Sequence, residues 1–92
     1  MDENAILTVL KIDLQISSDA LNEFLLGLIR AAKGFIVREG ITLADTAEDA
    51  QLVEMYAAYL YRKRREATAE MPRMLRWALN NRVFSGKVRA DG

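Results

Sequence analysis

The stretch that most constrains this chain is Asp45 to Arg65, DTAEDAQLVEMYAAYLYRKRR. It is the longest uninterrupted helical pattern, and its Gly- and Pro-free run predicts one continuous α-helix. At ~1.5 Å per residue such a helix is roughly 30 Å long, the width of a small domain. Ala50, Val53, Ala57 and Leu60 form a narrow apolar seam along it, widened by Leu52, Tyr56 and Tyr59. Asp45 with Glu48, or Thr46 with Asp49, has the spacing of a capping box at its start. Acids open it and Arg62-Lys63-Arg64-Arg65 close it, which suits the helix dipole at both ends.

The remaining segments read as helices that pack along this rod. Asn4 to Ile16 carries Ile6, Leu7, Leu10 and Leu14 on one face, with Lys11 and Asp13 turned away. Ser17-Ser18-Asp19 supplies capping side chains for a second helix reaching about Glu39, where Gly40 tolerates a left-handed stop. Its expected buried face is Leu21, Phe24, Leu25, Leu28, Ala32, Phe35 and Ile36. Leu26, Ile29 and Val37 fall outside that stripe, and Gly27, Ala31 and Gly34 make a small-residue strip where another backbone can pack closely. After a polar loop from Glu66 to Met71, Pro72 fits the first position of a last helix running to about Val83. Met71, Met74, Leu75, Ala78 and Leu79 are its expected buried face. Ser85-Gly86 is expected to end regular structure, leaving residues 1–4 and 85–92 as loose ends. The fold class is therefore all-α: a single domain of about four helices, one short and three longer.

At 92 residues the chain buries a modest share of its surface, yet 51% of it is hydrophobic. Either the core is unusually rich or some apolar surface is turned toward another chain. With no Cys and no His, disulfides, thiol nucleophiles, Ser-His triads and the usual zinc ligand sets are excluded. The acidic start MDENAIL is not a signal peptide, and no apolar run is long enough for a membrane span. Net charge is zero but unevenly spread: residues 1–61 carry 4 basic and 10 acidic side chains (−6), and residues 62–92 carry 9 and 3 (+6). Such halves either neutralise each other within the fold or offer complementary surfaces for head-to-tail assembly.

The candidate site residues are the basic run Arg62, Lys63, Arg64 and Arg65, together with Arg73, Arg76 and Trp77. With Arg82, Lys87 and Arg89 they have the composition of a phosphate- or acid-binding surface. The alternative is a set of solvated cations at a helix end. Trp and Arg in one neighbourhood are what interface hot spots favour, while core anchoring is the commoner fate of a lone Trp. Tyr61 and Arg65, four apart, are placed for a cation–π contact. Asp45, Glu48, Asp49 and Glu54 lack the spacing of a calcium loop or a metal-ligand partner, so capping and solvation account for them. No nucleophile–base pair, metal set or phosphate-cradling loop can be assembled, and the expectation is a non-enzymatic protein without cofactors.

The order of segments resembles the small head-tail connector (head-completion or adaptor) proteins of tailed bacteriophages. The likeness spans roughly residues 5–87 and is carried by LKIDLQI at 10–16, then Ser18-Asp19 leading into Leu25, Leu28, Ile29 and Ala32. YAAYLYRKR at 56–64 and MPRMLRWALNNR at 71–82 are its more specific parts. The resemblance implies a helical bundle that forms a ring of roughly twelve copies beneath the portal. It implies contacts with itself, the portal and a tail or stopper protein, around a channel through which DNA passes without sequence-specific binding. It places the protein in the virion, and in the host bacterial cytoplasm during assembly, with no membrane partner. The Glu66–Glu70 loop is shorter than in many members, and the C-terminal tail, the part expected to engage the portal, is brief. The alternative function is a small helical nucleic-acid-binding regulator using the basic residues from 62 to 76.

Overall fold

The computed structural model describes residues 1–91, with side chains through Gly86. It holds four helices and, among the described residues, no strand: α1 (Glu3–Asp13), α2 (Asn22–Arg38), α3 (Ala47–Arg65) and α4 (Arg73–Asp91). Helix α3 packs against all three others and is the centre of the bundle. The molecule spans 46 × 30 × 17 Å. Its thin dimension is about two helix layers at the usual 8–10 Å spacing.

The helix ends follow local chemistry. Asp2 caps α1 by accepting from the backbone N–H groups of Asn4 and Ala5 at 3.0 and 3.2 Å. Helix α1 stops at Asp13 rather than Ile16, because Gln15 turns left-handed at φ 59°. The Ile16 N–H then donates to the Lys11 carbonyl at 2.9 Å and the Gln15 N–H to that of Ile12 at 3.1 Å. That pattern is a Schellman stop with glutamine in the position glycine usually takes. Helix α2 begins at Asn22, later than the Ser17-Ser18-Asp19 signal, and no side chain caps it. The Asp19 carboxylate is engaged instead by Lys11 at 2.8 Å, tying the turn back to α1. Lys11 therefore does not simply point into solvent. Gly40, at φ 95°, ends α2 as its residue type dictates. Thr46 caps α3 by accepting from the Asp49 N–H at 3.1 Å.

Helix α4 starts one residue after Pro72, whose carbonyl accepts the Arg76 N–H at 3.1 Å. It does not stop near Val83 but runs through Ser85 and Gly86 to Asp91.

The core joins Leu10 of α1, Leu25, Ile29, Ala32 and Ile36 of α2, Val53 and Ala57 of α3, and Leu75 and Leu79 of α4, all fully buried. At 100° per residue, the buried face of α2 is rotated by roughly 50° from the expected stripe. Ile29 joins it fully buried, while Phe24 and Phe35 sit at the margin. Each phenylalanine is covered from outside by an arginine: Arg64 stands 4.9 Å from the Phe24 ring centre and Arg38 5.6 Å from that of Phe35. Phe35 also stacks on Tyr56 at 5.8 Å, binding α2 to α3. Between α1 and α2, Glu3 accepts from Lys33 and Arg30 at 2.9 and 3.2 Å, and the Lys33 hydrogen bond foremost holds its carboxyl below the usual carboxylate range.

Candidate functional site

Helix α4 buries Leu75 and Leu79 against α3. Beyond that seam Met74, Trp77 and Phe84 are 71%, 67% and 69% exposed, with Met74 and Trp77 on the rim of a cleft shared with Leu52 and Met55 of α3. Steps of three and seven residues keep them on one face of a helix. They form an apolar ridge about 15 Å long at 1.5 Å per residue. Met74, expected in the core, lies outside because it is about 100° around the helix from Leu75. Trp77 belongs to this ridge and anchors no core. Arg73 stands beside it and, among the described residues, has no carboxylate partner.

The basic run does not form one patch. Four consecutive helical residues fan over about 300° of arc, and each meets a different neighbour. Arg62 donates to Asp13 at 3.4 Å. Lys63 lies 5.8 Å from the Tyr59 ring, Arg64 covers Phe24, and Arg65 lies 5.8 Å from Tyr61, the expected cation–π pair. Arg76 faces Glu39 at the end of α2 at 3.7 Å. Arg62, Arg76 and Arg82 thus pair with acids from the first 61 residues, so part of the charge asymmetry is neutralised inside the fold. Lys63, Arg64, Arg65 and Arg73 have no such carboxylate among the described residues. The portal contact expected of Lys87 to Gly92 depends on side chains outside the described residues.

Two acids taken as capping or solvated groups are buried. Asp49 is 1% exposed and accepts from Arg82 through two hydrogen bonds, at 2.8 and 3.1 Å. It also accepts from the Ala44 N–H at 2.7 Å, while Arg82 donates to the Thr42 carbonyl at 2.8 Å. Arg82 is therefore a structural clamp joining α4, the start of α3 and the loop before it, and is removed from the outward basic set. The Asp49 hydrogen bond foremost strengthens its hold on its proton. Asp49 fills only half of a capping box, since its carboxylate serves this clamp. Glu54 is 8% exposed, and one of its oxygens has no hydrogen-bond partner. Burial first, then the facing Asp13, push its carboxyl up to about 7, with Arg62 opposing.

The strip Gly27, Ala31 and Gly34 also faces outward, and a Cβ placed on either glycine would meet nothing within 4 Å. No helix of the chain itself uses it for close packing.

A groove of about 470 Å³ lies between the first two turns of α1 and the first half of α3. Its floor is Ala5, Ile6, Val9 and Ala50, and Asp2, Asp45 and Glu54 are its acids. No Lys or Arg lines it; the one cation is the Met1 amino group, 3.3 Å from Asp45. The composition of the groove was not legible beforehand, since it joins residues 40 positions apart. Among the described residues there is no cluster of three or more potential metal ligands, and no helix is long and apolar enough to cross a membrane.

Compared with protein-family models, with curated proteins and with solved structures, the chain matches none. The fold and surface define it at the level of class: a small all-α bundle with an exposed apolar ridge on its last helix.

Proposed function

We propose that this protein is a non-enzymatic head-tail connector of a tailed bacteriophage or prophage. In this reading it assembles as a ring below the portal and joins the capsid vertex to a tail or stopper protein. It resides in the virion, after assembly in the host cytoplasm. The observation that carries the reading is the ridge of Met74, Trp77 and Phe84, three large apolar side chains on the outside of a short chain. Such a surface fits an interaction site better than a solvated one. The segment order supports the same reading, from the tyrosine-to-basic end of α3 into MPRMLRWALNNR. So does the acidic first part of the chain followed by a last helix with no acid between Pro72 and Ala90. Opposite charges in the two parts of the chain suit heterologous contacts, which close into rings when the rotation between copies allows.

Light scattering with and without purified portal rings tests the proposal. The expected result is a monomer or weak oligomer alone and ring-sized particles at high concentration or on the portal. A monomer that never binds portal rings refutes it. A gel shift at physiological salt, lost when Arg62 to Arg65 are reversed in charge, would instead favour a nucleic-acid-binding regulator.

A further inference from the structure

We propose that the α4 ridge of one copy docks in the α1/α3 groove of a second copy, as a heterologous contact. The two surfaces are complementary. The ridge presents Met74, Trp77 and Phe84 beside Arg73, which has no carboxylate partner among the described residues. The groove presents an apolar floor of Ala5, Val9 and Ala50 between Asp2 and Asp45, with no Lys or Arg in its lining. Val9 is 52% exposed in the free chain, so the floor has apolar surface still to cover. A ridge facing another ridge would offer Arg73 no carboxylate on the facing helix, since residues 73–90 contain no acid.

Size sets the strength of this contact. Aromatic side chains bury about 150–250 Å² each. With roughly two-thirds of each still exposed, the ridge offers on the order of 400 Å². A groove of matching area brings the interface to ~800 Å², below the ~1,200 Å² at which specific, stable complexes begin. A single contact is therefore weak and concentration-dependent. One copy holds both a ridge and a groove, so each copy engages two neighbours, and chains grow or close into a ring. Only the ring closure rests on the connector reading; the pairing itself does not.

Complementation between two variants of the full chain tests the pairing by analytical ultracentrifugation. The ridge variant is Trp77→Glu with Phe84→Glu; the groove variant is Val9→Arg with Asp45→Arg. All four positions are solvent-exposed, and circular dichroism checks folding; Met74→Lys and Val9→Lys are the milder replacements if either variant fails. Wild type is expected to rise in mean mass with concentration, and each variant alone to associate about tenfold more weakly or less, as loss of an aromatic hot spot implies. An equal mixture of the two variants retains one intact ridge and one intact groove. It is expected to give dimers that grow no further. A groove variant that associates like wild type, a mixture that stays monomeric, or a wild type that stays monomeric at millimolar concentration overturns the pairing. Portal binding is scored separately on the same variants, so failure of the connector reading is distinguishable from failure of this contact.

Discussion

Replacing Arg82 by methionine should be among the most damaging single changes that leave the apolar core intact. The side chain of Asp49 is 2% exposed and that of Arg82 11%. Arg82→Met keeps the aliphatic length but takes two charge-assisted hydrogen bonds from a buried carboxylate that keeps the Ala44 N–H among its donors, and it also releases the Thr42 carbonyl. Breaking a buried ion pair from one side costs about 3–5 kcal/mol, because the other charge stays desolvated. A chain of this length has a total stability of roughly 5–14 kcal/mol. At about 4–8 °C per kcal/mol for a small domain, the melting temperature should fall by at least ~12 °C. Asp49→Asn added to Arg82→Met removes the stranded charge, and the amide oxygen can still accept from Ala44. The double variant should therefore lose only about 1–2 kcal/mol, with a coupling of ~2 kcal/mol between the sites. Urea and thermal melts followed by circular dichroism measure both variants and Asp49→Asn alone. If Arg82→Met costs under ~1 kcal/mol, or the double variant is the simple sum of the singles, the clamp is not a desolvated ion pair.

Glu54 sets a pH dependence of unusual sign. Its folded value near 7 exceeds the ordinary 4.5, so the native state holds an extra proton between those values. Its contribution is complete below about 4.5 and lost as pH rises through 7, on the order of 3 kcal/mol at ~1.4 kcal/mol per unit. Urea melts should show this slope in wild type relative to Glu54→Gln; parallel curves would remove the basis for it. Gln15→Gly relieves the left-handed strain at φ 59° and should stabilise the chain by about 1 kcal/mol, read from the urea midpoint. Gly27→Ala with Gly34→Ala has open space at both sites and should stabilise helix α2 by ~1 kcal/mol per site in thermal melts. Loss of oligomers in that variant, with a more stable monomer, would assign the strip to a subunit contact. Arg64→Glu with Arg65→Glu removes two exposed cation–π contacts worth about 0.5–1 kcal/mol each. Helicity by circular dichroism should stay nearly unchanged while light scattering shows impaired assembly; an unfolded variant would make the pair structural.

The features legible in the sequence are those set by near neighbours. Gly40 ends α2 and Thr46 caps α3 because one residue type at one position suffices for each. The all-α class and the central role of α3 follow from apolar periodicity over many residues. What escaped depends on contacts distant in the chain. Asp49 looks like one more helix-start acid until Arg82, 33 residues later, folds onto it. Ile29 looks marginal because the two phenylalanines of α2 dominate the apolar count, but Arg64 of α3 covers Phe24 and Arg38 of α2 itself covers Phe35, leaving both at the margin of the buried face. The ridge is half-visible: Trp77 falls outside the expected buried face of α4, but Met74 falls within it. Phe84 lay past the expected end of α4, so it had no face to share.

The one-sided attachment of α4 bears on the order in which the molecule forms. Helices α1 to α3 follow one another and pack mutually, so their interactions close short loops and need little search. By the time Arg65 has been synthesised, most of the core residues are already present. Helix α4 joins through α3, and its clamp bridges positions 49 and 82 across the loop before it. Docking of α4 is thus the late step, and its release is the first step of unfolding, as expected of the least-connected unit of a cooperative fold. In the proposed pairing, the ridge would then be presented to a neighbour only by chains that have completed folding, which would keep unfinished copies out of an assembly.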